Sequence, residues 1–250
     1  MDHYVALGSS MAAGPGIRPR APGSPRRAGR SARNYPHLVA ERLGLHLVDV
    51  TYSGATTAHV LTERQNGAPP QADALDGSET LVTVTIGGND IGYVPMLFAA
   101  GLPRWVQSIP LVGAKIRDLL DPQVRQRAID ELGESLIEVG QTLRARAPKA
   151  TVLFVDYLTF LPDEPPLREA DAALARHLAE RLEHLTADAA SATGCGLVRA
   201  GAASRDHHAW STRPWTTPFG WPLPGRPAPL HPNAAGMRAV ADLVVSAVRG

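Results

Sequence analysis

The sequence predicts an α/β domain, a parallel sheet covered by helices on both faces. Three observations carry this. Short apolar runs alternate along the chain with longer segments of helical period. Two of the runs, Leu81-Val82-Thr83-Val84-Thr85-Ile86 and Val152-Leu153-Phe154-Val155, are apolar or β-branched without strong alternation, as strands buried on both faces require. Strand-like and helical stretches follow one another singly rather than in blocks, the order of strand–helix–strand units.

Taken in order, strands fall near 3–8, 46–51, 80–86, 151–156 and 196–199, and helices near 34–43, 56–62, 122–147, 166–192 and 233–248. In the last helix Met237, Val240, Ala241, Val244 and Val248 recur at helical spacing, leaving Arg238, Asp242 and Arg249 for solvent. Two stretches break the alternation. Residues 15–33 are rich in Pro, Gly and Arg and form a loop, whereas 205–230 hold six prolines and three tryptophans and exceed an ordinary connection. With no internal repeat and no linker-like shift in composition, residues 1–250 are read as one domain.

Composition narrows the function classes. At 44% hydrophobic and 20% charged the chain is of ordinary globular type, and a formal charge of +1 gives no bulk attraction to nucleic acid or anionic membrane. The lone Cys195 makes neither an intramolecular disulfide nor a multi-cysteine zinc site. No run of 18 apolar residues suggests a membrane span. The nearest approach, Ile91–Ala114, carries Arg104, Pro95, Pro103 and Pro110. It is read as a core-covering helix, or as a lid or acyl pocket lined by Met96, Leu97, Phe98 and Trp105, with transient membrane-surface contact as a further use. Met1-Asp2-His3 leads straight into Tyr4-Val5-Ala6-Leu7 without a basic start and apolar run, so a cytoplasmic location is expected; a removed export signal would make the protein secreted.

In an open parallel sheet, ligands bind beyond the carboxyl ends of the strands. The first strand delivers Gly8-Ser9-Ser10-Met11-Ala12-Ala13-Gly14 there, the second Ser53-Gly54-Ala55-Thr56 and the third Gly87-Gly88-Asn89-Asp90, while His231-Pro232-Asn233 introduces the last helix. A hydroxyl, a glycine amide, a carboxamide and an imidazole thus come from four separate segments. Acyl transfer needs that set: a nucleophile, a base and donors for a tetrahedral oxyanion. Taken alone, Ser10 reads as a helix cap, Gly54 as a turn, Asn89-Asp90 as a cap and His231 as a loop histidine.

These four words in this order resemble the SGNH (GDSL-type) hydrolase family, and the flanking sequence resembles its actinobacterial esterases and lipases. The resemblance implies a three-layer α/β/α, flavodoxin-like sandwich with five parallel strands in the order 2-1-3-4-5. It implies a carboxylic ester hydrolase in which Ser10 attacks the carbonyl and His231 takes its proton. Ser10 N–H, Gly54 N–H and the Asn89 amide would hold the oxyanion. Glycine at 54 is expected to allow close backbone approach. The substrate is expected to be a small-molecule or lipid ester turned over by a monomer, with no cofactor, no metal and no nucleic-acid partner. Lysophospholipase, carbohydrate O-deacetylase and acyltransferase activity are alternatives within the same chemistry, and an ester-binding pseudoenzyme is the non-enzymatic one.

Two positions depart from the family pattern. Ser9 replaces the usual aspartate of the first word, which implies weaker scaffolding of that loop. Ala228 stands where the acid of a triad is usual; its main-chain carbonyl is the expected partner of His231, forming a Ser–His dyad, with Asp206 or another loop carboxylate as the alternative. Asp90 is read as cap or scaffold. His177 and His184 share a partly exposed helix face, and His207-His208 sit in the long loop, where substrate contact is a secondary reading. Arg18, Arg20, Arg26, Arg27, Arg30 and Arg33 read as a solvated loop, or else as an anion-binding rim. No His-Glu-x-x-His, Gly-x-Ser-x-Gly or phosphate-loop word is present.

Overall fold

Five parallel strands, β1 (His3–Gly8), β2 (His46–Asp49), β3 (Glu79–Thr85), β4 (Thr151–Val155) and β5 (Gly196–Val198), form one sheet in the order β2-β1-β3-β4-β5. The computed structural model describes residues 2–103, 105, 106, 109, 110, 112–223 and 225–250. Arg104, which entered the reading of the 91–114 segment, lies outside the described residues. The described helices are α1 (Ser10–Ala13), α2 (Tyr35–Leu43), α3 (Thr57–Leu61), α4 (Tyr93–Gly101), α5 (Val112–Leu119), α6 (Pro122–Arg146), α7 (Glu169–Thr193), α8 (Ala200–Ala203) and α9 (Ala234–Arg249).

The strands sort their side chains by the two-residue period of a pleated sheet. Val5, Leu7, Val82, Val84, Val152 and Phe154 point into one core, built with Ile129, Leu132 and Leu136 of α6 and Leu174, Leu178 and Leu182 of α7. Tyr4, Ala6, Leu81, Leu153 and Val155 point into the other, with Tyr35 and Val39 of α2 and Met237, Val240, Ala241 and Val244 of α9. Covering both faces explains why the strands read as continuous apolar runs. The second core holds a small polar knot: the Tyr4 hydroxyl lies 2.7 Å from Thr83 Oγ1, and the Tyr35 hydroxyl 3.0 Å from Thr85 Oγ1. Burial pushes the Tyr35 hydroxyl up to about 12, so both phenols stay neutral.

The predicted strands and long helices recur to within a few residues. β2 ends at Asp49 because that carboxylate turns the chain, accepting the Thr51 N–H at 3.0 Å and the Thr51 hydroxyl at 2.6 Å. The 91–114 segment supplies a regular helix, α4. Pro95 falls in its first turn, where a missing N–H costs no intrahelical bond.

Candidate active site

The carboxyl ends of β1 and β3 and the start of α9 bring Ser10, Asn89 and His231 to one end of the sheet. At β1 the chain leaves the sheet through Gly8, whose φ of +135 favours glycine; a Cβ there would stand 2.5 Å from Thr85 O. Gln71 clamps this peptide from both sides, accepting the Gly8 N–H at 2.7 Å and donating to its carbonyl at 3.1 Å. Ser9 then caps α1, its hydroxyl accepting the Met11 N–H at 3.4 Å. Ser10 is thereby fixed as the first residue of α1.

His231 reaches this serine from the far end of the chain, with Nε2 2.8 Å from Ser10 Oγ. Its other nitrogen, Nδ1, lies 2.7 Å from the carbonyl oxygen of Pro229. A carbonyl only accepts, so Nδ1 carries the proton and Nε2 is left to accept from the Ser10 hydroxyl. Burial lowers the imidazole pKa from its ordinary value of 6.5, and the bond to Pro229 opposes this in part. The base is therefore neutral in neutral solution.

The expected partner of Nδ1, the Ala228 carbonyl, is corrected by one residue. The Ala228 oxygen is occupied by the Thr217 hydroxyl, which donates to it at 2.6 Å. Leu230, between acceptor and imidazole, adopts φ +55, a left-handed conformation rare for a bulky residue. Its tight turn accompanies the return of the Pro229 carbonyl to the ring two residues on. Asp206 lies instead on the wall of a separate cavity of about 270 Å³ between the loop after β4 and α7. Among the described residues no carboxylate bonds to His231.

The long 205–230 loop braces this histidine. Thr217 donates its N–H to the His231 carbonyl at 2.9 Å and its carbonyl accepts the Leu230 N–H at 3.1 Å, while Thr216 and Pro232 form an antiparallel bridge. Asn233 caps α9 by accepting the N–H groups of Ala235 and Gly236 at 2.8 and 3.0 Å, and donates to Pro214 O at 2.7 Å. His207 stacks on Trp215 with ring centroids 4.1 Å apart and bonds the Arg213 carbonyl, and His208 accepts the Trp210 N–H. Both histidines thus hold the loop to itself.

The Asn89 amide donates to the Ala55 carbonyl at 2.8 Å with one of its two N–H groups, tying the third strand end to the second. Asp90 makes the parallel tie: its Oδ1 accepts the Thr57 N–H at 3.0 Å and the Thr57 hydroxyl at 2.6 Å, and burial raises its pKa. Gly54 sits at φ +80, yet a Cβ there would meet only Gln65 Nε2 at 3.6 Å. Glycine is required at 54 by the backbone conformation rather than by crowding. Among the described residues, the N–H groups of Ser10 and Gly54 have no protein acceptor.

Beside the site lies an apolar pocket of about 230 Å³ lined by Leu97, Gly101, Leu161, Pro166, Leu167, Trp210, Phe219 and Leu230. Of the residues expected to line it, Leu97 does, Phe98 packs on Phe219 with ring centroids 5.4 Å apart, and Met96 is wholly buried in the core. Trp105 does not line it and is 68% exposed.

Tyr157, Gln71, Thr217 and Pro229 were not singled out by sequence. The strand-end rule would have found Tyr157, two residues past β4; its hydroxyl lies 3.1 Å from Ser9 Oγ and accepts the Gly88 N–H at 3.1 Å. Gln71 and Thr217 sit in loops with no patterned signal. Among the described residues no group of three or more His, Cys, Asp or Glu is placed to hold a metal ion.

Known proteins are similar to this chain in sequence and fold. The GDSL-like lipase/acylhydrolase family model matches residues 6–239. Lipase 2 of Streptomyces coelicolor is 34% identical, over 96% of this chain and 83% of that protein. Phospholipase A1 from Streptomyces albidoflavus superposes with a TM-score of 0.80 at 25% identity, over 100% of this chain and 99% of that one. The extracellular lipase of Streptomyces rimosus superposes with a TM-score of 0.76 at 25% identity, over 99% of both chains. With its four sequence words, its sheet order and its paired serine and histidine, the chain belongs to the GDSL-like lipase/acylhydrolase family and is a carboxylic ester hydrolase.

Proposed function

We propose that the protein hydrolyses lipid carboxylic esters through an acyl-enzyme on Ser10, using a Ser–His dyad. The observation that carries this reading is the continuous line from Ser10 Oγ through the His231 ring to the Pro229 carbonyl, with contacts of 2.8 and 2.7 Å. His231 Nε2 takes the Ser10 proton as Oγ attacks the ester carbon, and the tetrahedral adduct's oxyanion is held by the Ser10 N–H, the Gly54 N–H and the free N–H of Asn89. His231 then protonates the leaving alkoxide. Water, activated by the same nitrogen, attacks the acyl-enzyme and releases the acid and the free serine. The neutral Pro229 carbonyl fixes tautomer and orientation throughout, as the aspartate of a triad does, but adds no negative charge beside the imidazolium.

The apolar pocket supports a hydrocarbon acyl group over acetyl, and its wall includes Leu230, the neighbour of the base. The similar proteins named as lipases and phospholipase A1 agree with that choice.

The test is hydrolysis of p-nitrophenyl esters from acetate to palmitate by the wild type and by Ser10→Ala. Expected are loss of turnover in the variant by at least about 10³-fold and a wild-type preference for acyl groups longer than acetyl. Undiminished turnover in Ser10→Ala would reject the nucleophile, and a preference for acetate would reject the lipid assignment.

A further inference from the structure

Among the described residues, the large apolar side chains left exposed are Trp105, Ile109, Val112, Trp210, Trp221 and Leu223. All six fall in two stretches, 105–112 and 210–223. Along the chain, both stretches adjoin residues that line the apolar pocket. Gly101 and Phe219 both line it, and a Cβ on Gly101 would stand only 2.8 Å from the Phe219 ring. Trp105 follows that glycine by four residues and Trp221 follows that phenylalanine by two. Trp210 is both exposed and part of the pocket wall, and Trp221 is 80% exposed. Large apolar side chains left exposed beside a pocket mark a contact surface.

Exposed arginines accompany the 210–223 stretch. The Arg18 guanidinium packs on Gly225, with Nε 2.9 Å from where a Cβ would stand, so loop 15–33 meets the Trp221–Leu223 loop at its far end. Arg18, Arg213 and Arg226 are exposed. The nearby carboxylates along the loops are Asp163 and Asp206, on the wall of the cavity beside α7, and Glu164, exposed between Leu161 and Pro166 of the apolar pocket.

We infer that this face docks on an anionic phospholipid surface, tryptophans and leucine entering the headgroup layer and the arginines lying against phosphate. Tryptophan is favoured where a bilayer meets water, arginine reaches phosphates while its stem stays among apolar groups, and basic residues near a negative leaflet each strengthen binding. The apolar fringe alone would fit a protein partner, and the basic loops alone any polyanion. Their combination beside an ester site fits anionic lipid. The surface deepens the lipid-ester reading and rests on it for its purpose, because docking would present the acyl chain directly to the pocket.

The test uses the full chain carrying Ser10→Ala, so that vesicles are not consumed. Co-sedimentation and tryptophan emission are measured with vesicles of phosphatidylcholine alone and of phosphatidylcholine with phosphatidylglycerol. Expected is a blue-shifted emission and partition onto the phosphatidylglycerol vesicles that weakens as salt is raised. The added pair Arg18→Glu/Arg226→Glu should lower that partition by at least about tenfold. The pair Trp221→Ser/Leu223→Ser should remove most of the blue shift, and in the chain with Ser10 intact both pairs should leave hydrolysis of a soluble short ester unchanged. Equal partition onto both vesicle types, no partition, or undiminished binding by either pair would overturn the inference. So would a concentration-dependent dimer abolished by the Trp221 pair, which would assign the fringe to a second copy. Because binding is read without turnover, failure of the ester reading and failure of the docking reading appear in separate measurements.

Discussion

The Tyr157 hydroxyl lies 3.1 Å from Ser9 Oγ and accepts the Gly88 N–H at the same distance, so one phenol from the end of β4 joins the loops that follow β1 and β3. The ring is pressed against Gly88, where a Cβ would stand 2.6 Å from it. Burial pushes the phenol up to about 12, so it acts as a neutral bridge. Ser9 stands where the family usually has aspartate, and Tyr157 reaches the serine that replaces it.

Tyr157→Phe keeps the ring and removes the bridge. The expected result is a fall in kcat of roughly tenfold with KM nearly unchanged, since a buried N–H left without its partner costs about 1–3 kcal/mol and loosens the loop carrying Asn89. Steady-state kinetics beside a melting curve check this. A kcat within twofold of wild type would show that Ser9 and Gly88 hold their places without it.

The pH dependence follows from His231. Only the neutral imidazole accepts the Ser10 proton, and burial lowers its pKa below 6.5. kcat/KM on a neutral ester should therefore rise with pH through a midpoint below 6.5 and stay level through neutrality. Ala228→Asp introduces a carboxylate one residue before the accepting carbonyl. It should move that midpoint to higher pH, because a nearby negative charge favours imidazolium. A midpoint unmoved by the substitution would place the new carboxylate out of reach of the ring.

Gly236→Ala replaces a glycine inside α9 by the best helix former and would ordinarily stabilise. Here a Cβ would stand 2.2 Å from the Trp215 carbonyl, and backbone cannot rotate away as a side chain can. Trp215 adjoins Thr216 and Thr217, which pair with the chain around His231. The substitution should lower stability by about 1–3 kcal/mol and reduce kcat as well. Chemical denaturation and turnover measured together test it, and a stabilised, fully active variant would refute it.

Asp156 sets a stability slope. It follows β4, accepts the Gly201 N–H at 2.7 Å through Oδ1, and has a buried Oδ2 with no partner. Desolvation pushes its carboxyl up to about 7 from 3.8. The folded state thus holds this proton more tightly than the unfolded chain, so the contribution is fully present below 3.8 and is lost as pH rises toward about 7. Asp156→Asn keeps the oxygen that accepts from Gly201 and removes the charge. Its Tm should exceed that of the wild type at pH 8 by several degrees, at about 2–4 °C per kcal/mol for a chain of this size. The difference should shrink on acidification. Parallel Tm profiles would show that the carboxyl is not the cause.

Much of this architecture was legible because each strand is buried on both faces and announces itself as an apolar run. Three of the four site words follow strands and the fourth introduces α9, and Ser10 and His231 pair at 2.8 Å. What escaped has no residue-type signature. The 91–114 segment was apolar and proline-broken to the eye, but Pro95 sits in the one helical turn that tolerates it. Trp105 read as pocket lining because it is apolar, whereas the chain carries it past the pocket to the surface. Ala228 rather than Pro229 was expected because the family aligns a side chain there, while the hydrogen bond is made by a carbonyl that every residue possesses.

Because that carbonyl belongs to the main chain, no single codon change can delete it. An aspartate in the same role disappears with one substitution; here the support for the imidazole is stored in the shape of a turn. It is held by the Thr217 bonds on either side of His231 and by the left-handed Leu230. Positions 228 and 229 are correspondingly released from chemical constraint, and the constraint passes to residues that never touch substrate. Mutational tolerance around this base should thus follow backbone conformation, not charge, with proline and β-branched replacements at 230 least accepted of all.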